Sequence, residues 1–215
     1  MAIVTPPAEI QELTGPKPEG GRSRLMDFHH RITVDEYHQI LESGALGPEP
    51  RVELLEGVIL DKMTKNPPHN LACDLLQHQL SALIPPGFFL SMATSMTIED
   101  RQGEPEPDAW ILRGAPRDYA GRRRTPTDSP LVIEVADTSY ELDRHQKLTT
   151  YAASGIPIYW LIDLNRRRIE VHGQPGGQGS EAYYAQTRIY AEEEHVPLVL
   201  DGKEHATIAV RELLP

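Results

Sequence analysis

Two carboxylates in this chain stand where apolar residues are expected. In the segment PEPDAWILR, Asp108 heads an otherwise apolar run, and in PLVIEVAD, Glu134 lies in the middle of another. A carboxylate inside an apolar strand must rise in pKa or find a cation, because burial penalises its charged form. The period of two along 131–136 sends Leu131, Ile133 and Val135 to one face and Val132, Glu134 and Ala136 to the other, so the strand holds Glu134 rigidly. Carboxylates on neighbouring strands can share one hard cation. Oxygen ligands without His or Cys suit Mg²⁺, with Mn²⁺ as a substitute, and such an ion keeps positions for water and phosphate oxygens. Downstream, Asp143, Lys147 and Tyr151 follow at four-residue steps and share one helical face. A strand, helix, strand connection packs its helix back onto the sheet, which brings Lys147 within reach of the carboxylates.

Each of these residues also has a plainer reading. Asp143 and Lys147 can form a surface ion pair worth a few tenths of a kcal/mol, and Asp108 can be a turn residue after Pro107. Glu53 beside Glu56 fits exposed hairpin charge. The nine histidines show no zinc-ligand spacing. Cys73, the single cysteine, sits among apolar residues at helical spacing and reads as a small core residue. The basic runs Arg122, Arg123, Arg124 and Arg166 to Arg168 read as solvated surface, although the first lies between the two carboxylate strands, where it suits phosphate contacts. Trp110 and Trp160 alternate with apolar strand residues and belong to a core.

The elements that must position these groups are mixed α and β. Thr33 three residues before Glu36 predicts a capped helix over 34–43. The run 51–63 predicts two short strands around Glu56-Gly57, and Pro67-Pro68 precedes a helix over about 69–84. Strands are expected at 88–98, 108–113, 130–136 and 157–163, a helix at 142–154, and hairpin strands at 167–172 and 182–190. Residues 1–24, rich in Pro and Gly, predict a flexible arm before a single domain over 25–215.

A chain of 215 residues with 39% hydrophobic content supports one domain with a real core. The absence of a long apolar run or a signal-like start predicts a cytoplasmic protein with no membrane segment. The formal charge of −11 argues against loose, charge-driven binding of nucleic acid.

In combination, RVELLEGVI at 51–59, Pro68-His69, Pro107-Asp108, IEVADTS at 133–139, Asp143, Lys147, Tyr151, Gly155 and YWLID at 159–163 resemble the bacterial Uma family. That family is assigned to the PD-(D/E)xK nuclease superfamily as restriction-endonuclease-like, and the resemblance covers about residues 25–213. It implies an α/β fold with helices flanking a central mixed sheet and extra hairpins. Asp108 and Glu134 would bind Mg²⁺, the backbone carbonyl of Val135 would complete the shell, and Glu53 would be a second-tier carboxylate. His69 would touch phosphate or cap its helix. The superfamily pattern has Lys two residues after the glutamate, where this chain has Ala136, and Lys147 would replace it. The implied activity is hydrolysis of DNA phosphodiester bonds leaving a 5′-phosphate, with a homodimer suited to cutting both strands. Two other readings keep the same residues: a catalytically weak nuclease-fold module that binds nucleic acid or protein, and a hydrolase of small phosphate esters.

Overall fold

The computed structural model describes residues 30–215; the expected arm at 1–24 lies outside them. Helix α1 (Val34–Glu42) starts where its capping residues dictate. Thr33 Oγ1 accepts from the Glu36 amide, and Glu36 returns a carboxylate oxygen to the Thr33 amide. Its apolar residues Val34 and Tyr37 pack with Leu54 of a hairpin built from β1 (Val52–Leu55) and β2 (Val58–Asp61). Glu56 and Gly57 form the two-residue turn with φ of 52° and 75°. At Gly57 a Cβ would also lie 2.6 Å from the Arg31 side chain, so this turn tolerates little else.

The main sheet has six strands in spatial order β3 (Phe88–Met92), β4 (Ala109–Arg113), β5 (Leu131–Ala136), β6 (Ile158–Asp163), β7 (Arg168–Gly176) and β8 (Tyr183–Ala191). The β5/β6 pair is parallel and the others antiparallel, so β5 and β6 need a crossover. Residues 142–153 supply it, as a π-helical segment (Leu142–Lys147) running into α3 (Leu148–Ala153). Helix α2 (Pro67–Leu83) lays Ala72, Leu76 and Leu80 on one face of the sheet, against a core that includes Ile111, Ile133 and Trp160. A second hairpin, β9 (His195–Leu200) with β10 (Lys203–Ala209), extends that layer through Val196, Leu198, Leu200 and Ile208. On the opposite face, Leu148, Tyr151 and Ala152 pack with Trp110, Val132 and Leu161. Burial of each large side chain contributes about 1.5–3 kcal/mol, so the two layers clamp β5 from both sides. No helix among the described residues is long and apolar enough to cross a membrane.

Several elements differ from expectation for local reasons. Helix α2 begins two residues early, because Asn66 caps it through the His69 amide and prolines are tolerated in a first turn. The strand expected over 88–98 ends at Met92, where Ala93 turns to φ 44° and Thr94 bonds Ser91 and Trp110. Strand β7 continues through the glycines to Gly176, past the expected end at 172. Crossover residues 142–147 form a π-helix, with the Leu148 amide reaching back to the Asp143 carbonyl. The β9–β10 hairpin was not expected, although Asp201-Gly202 between alternating residues is a strong hairpin signal.

A buried ionic cluster ties the crossover to β7. Glu170 accepts from Tyr140 at 2.8 Å and Arg168 at 2.6 Å on one oxygen and pairs with Arg144 at 2.9 Å on the other. Burial pushes its carboxyl up, but His172, the Tyr140 hydroxyl and the charges of Arg144 and Arg168 outweigh this and hold it down at about 2. A depressed carboxylate stabilises the fold above its unfolded value and loses that contribution as pH falls through its folded value. Glu170→Gln is therefore expected to lower unfolding free energy by about 2 kcal/mol near neutral pH. The gap to wild type should close as pH falls from about 4.5 toward about 2. Urea midpoints measured across that window check it; a gap independent of pH would mean that Glu170 acts by packing alone.

Candidate active site

The end of the sheet at β4 and β5 opens into a cleft lined by Glu53, Lys65, Asn66, His69, Asp108, Glu134, Val135, Asp137, Asp143 and Lys147. Five structural sources meet there. Glu53 comes from β1, Asp108 from the residue before β4, Glu134 from β5, Asp143 and Lys147 from the π-helical segment, and His69 from the first turn of α2. Ala109 pairs with Ile133 across β4 and β5, so the backbone sets Asp108 beside Glu134, and the Asp108 amide points to Glu134 Oε2 at 3.4 Å.

Lys147 occupies the middle. Its Nζ lies 3.1 Å from Glu134 Oε1, 3.3 Å from Glu53 Oε1 and 3.5 Å from Asp143 Oδ1, with only 8% of the side chain exposed. Burial alone would discharge this amine, but Glu134, Asp143 and Glu53 together push its pKa well above the ordinary lysine value. Tyr151 donates to the same Glu134 oxygen at 2.7 Å, and burial beside Glu134 and Glu53 keeps its phenol protonated. Burial also acts on Glu134: despite the relief from Lys147, its carboxyl is pushed up to about 8, with Asp143, Asp108 and Glu53 adding to the rise.

Asp108 is handled differently. Its Oδ2 accepts from the Val135 amide at 3.0 Å and lies 3.2 Å from His69 Nε2, while its Oδ1 meets Lys65 Nζ at 2.9 Å. Burial raises this carboxyl, yet His69, Lys65 and the Val135 amide outweigh it and hold the group below the usual carboxylate range. Within the cleft Lys65 thus meets Asp108, and Lys147 meets Glu53, Glu134 and Asp143, among a lining in which carboxyl groups outnumber amines.

The residues fit a hard divalent cation. Glu53, Asp108 and Glu134 supply carboxylate oxygens, the hard ligands such an ion takes, and Val135 lines the cleft beside them. Among the described residues the compact group of ligand-type atoms, all within 4.8 Å of one another, is a different one: His69, Cys73 and Asp108. Lys147 lies among the other carboxylates, while Lys65 meets Asp108 of this group. In that second group His69 stands between its neighbours, with Nδ1 3.6 Å from Cys73 Sγ and Nε2 on Asp108. Burial, with the charge of Asp108, pushes the Cys73 thiol up to about 12, so it supplies no thiolate near neutral pH. Apart from His69, which is engaged with Asp108, the metal-ligand atoms lining the cleft are oxygen.

Asp108, Glu134, Val135, Glu53, His69, Asp143, Lys147 and Tyr151 are brought together; all but Tyr151 line the cleft, and Tyr151 supports Glu134 from behind. Arg122, Arg123 and Arg124 do not line it. Arg122 is paired with Asp128 and Arg123 with Asp35 and Glu99, while Arg124 bonds Ser91 and Thr94. Sequence reasoning missed Lys65 and the Asn66–Asp137 hydrogen bond across the cleft mouth. A lone lysine in DKMTKNPPH carries no spacing signal; only its proximity to the Pro68-His69 pair pointed toward the site.

No curated protein matches the chain. Among solved structures, the chain is similar to a protein from Anabaena variabilis titled a putative nuclease belonging to DUF820. The two are 16% identical and align with a TM-score of 0.62 over 85% of this chain and 97% of that one, which establishes a common fold. A family model for Uma2, described as "Putative restriction endonuclease", matches residues 34–209, a span that takes in every residue of the cleft. The chain belongs to the Uma2 family of nuclease-like proteins.

Proposed function

We propose that this protein is a divalent-metal-dependent endonuclease that hydrolyses phosphodiester bonds of DNA. The observation that carries the reading is the convergence of buried carboxyl groups at the end of a rigid sheet: Asp108 meets Lys65, while Glu53, Glu134 and Asp143 meet Lys147, and burial pushes Glu134 up to about 8. Asp108 and Glu134 would hold Mg²⁺ or Mn²⁺, with the Val135 carbonyl and Glu53 behind them. Bound there, the ion supplies charge for the phosphate oxygens and lowers the pKa of the attacking water. Lys147, fixed by Glu53, Glu134 and Asp143, would orient that water and stabilise its developing negative charge. Tyr151 steadies Glu134 in the rotamer that leaves Oε2 toward Asp108. His69 holds the inner oxygen of Asp108 and thereby aims Oδ1 outward.

A plasmid-nicking assay with Mg²⁺ or Mn²⁺ against a chelator control tests the reading. Metal-independent DNA binding without cleavage would instead select a nuclease-fold binding module. Turnover of a chromogenic phosphodiester with no effect on plasmid would select a small-ester hydrolase. In the same assay Asp108→Asn and Glu134→Gln are each expected to reduce cleavage at least a hundredfold, because each removes a charged ligand. Calorimetry should show Mn²⁺ binding weakened by about tenfold or more. Unchanged Mn²⁺ affinity in both variants would make these carboxylates structural.

Lys147 separates the roles. Lys147→Met keeps much of the buried stem and removes no metal ligand, so cleavage should fall about a hundredfold, the scale of acid–base assistance, while Mn²⁺ binding persists or tightens. Loss of a buried partner costs about 3–5 kcal/mol, so both measurements belong below the melting temperature found for the variant. Lys147→Arg should restore little, since a wide guanidinium does not fit among three carboxylates that hold a compact ammonium. Wild-type cleavage by a folded Lys147→Met variant would reduce Lys147 to a structural counter-ion.

A further inference from the structure

The two lysines of the cleft are held in unlike ways. Lys147 is buried among three carboxylates on a helical segment. Lys65 has one carboxylate partner, Asp108 Oδ1, its side chain is 36% exposed, and it lies in the connection between β2 and α2, outside helix and strand. The inner oxygen of Asp108 is fully engaged by the Val135 amide and His69, whereas Lys65 is the single hydrogen-bonding or ionic partner of the outer one among the described residues. The outer oxygen is the one a cation in the cleft would need. An ammonium and a divalent ion cannot share it, since they repel at contact distance.

We propose that Lys65 is a displaceable counter-ion: it holds Asp108 Oδ1 in the metal-free protein, yields that oxygen to a divalent cation, and then serves a phosphate oxygen of the substrate. The inference rests on the nuclease reading given above and extends it to a residue with two successive partners. Detachment is feasible because Lys65 lies in the connection between β2 and α2, outside helix and strand, and its side chain, 36% exposed, already reaches solvent. The second partner follows from chemistry: a lysine ammonium at the mouth of a cleft is a compact point charge suited to phosphate. Asn66, the next residue, is anchored as the cap of α2 and bonded to Asp137, so Lys65 swings from a fixed base and stays near the cleft after release.

A single residue thus affects two equilibria with opposite sign, which a merely structural lysine would not do. Lys65→Met, which keeps the stem and removes the charge, should bind Mn²⁺ about fivefold more tightly than wild type in calorimetry without substrate, the equivalent of losing one half-exposed competing ion pair. With Ca²⁺ in place of the active ion, fluorescence anisotropy should show weaker binding of a phosphorothioate duplex, with the slope of log affinity against log salt reduced by about one. Lys65→Arg should keep most of the duplex affinity. Equal or weaker Mn²⁺ binding by a folded Lys65→Met variant overturns the proposal. Tighter Mn²⁺ binding with an unchanged duplex salt slope overturns the transfer to phosphate and leaves only the competition. Failure of the wild type itself to bind Mn²⁺ would sink the metal reading, an outcome distinct from wild-type binding that Lys65→Met leaves unaltered.

Discussion

The arrangement turns on one ammonium group placed where charge is expensive. Lys147 is almost fully buried, and it stays charged because Glu53, Glu134 and Asp143 surround it. Those carboxylates come from a hairpin, a central strand and the crossover helix, elements with no shared backbone ladder at that point. Removing any one carboxylate leaves a buried charge with fewer partners, so the ion cluster ties the β1–β2 hairpin to the sheet through Glu53. The hairpin has its own small core with α1, and a further backbone tie runs from Glu104 to Leu54.

The π-helical segment follows from the same demand. Asp143 must meet Lys147 while the neighbouring residue Arg144 reaches Glu170 on β7, two strands away from Glu134. A wider helical turn lets adjacent side chains on the segment serve both centres, and the Asp143 carbonyl, which receives the Leu148 amide, is also bonded by the Tyr159 hydroxyl at 3.2 Å. π-Turns occur often at functional sites because the extra residue re-aims side chains without breaking the helix. Here the re-aimed residues lie between a catalytic candidate and a structural anchor.

The fold was largely legible where one residue type decided the matter. Thr33 and Glu36 announced α1, Glu56-Gly57 the first turn, and alternation along 131–136 the two faces of β5, which the two core clusters reproduce. It was less legible where side-chain partners decided: Ser91 and Thr94 end β3, and Asp201-Gly202 makes a hairpin whose strands cover the sheet beside α2. In the site, the carboxylates stood out because they interrupt apolar strands, an anomaly that local sequence exposes. Lys65 did not, since its meaning depends on Asp108, forty-three residues away along the chain. The same limit applies to Arg122, Arg123 and Arg124. Proximity in sequence to the carboxylate strands suggested phosphate contacts, but their acidic partners Asp128, Asp35 and Glu99 could be assigned only from the fold.

Those surface pairs bear on how so acidic a chain can act on DNA. The formal charge is −11, and many of its arginines are already matched: Arg113 with Asp201, Arg122 with Asp128, Arg167 with Glu192. A surface whose cations are internally neutralised offers little counter-ion release on binding a polyanion, so the bulk of the protein repels rather than recruits nucleic acid. On the nuclease reading, attraction must then be generated inside the cleft. A divalent ion there offsets part of the negative charge of the carboxylates, and a released Lys65 would offer its ammonium to phosphate at the mouth of the cleft. Metal binding would thereby gate substrate binding as well as chemistry, and the acidic exterior would suppress unproductive contacts elsewhere on the molecule.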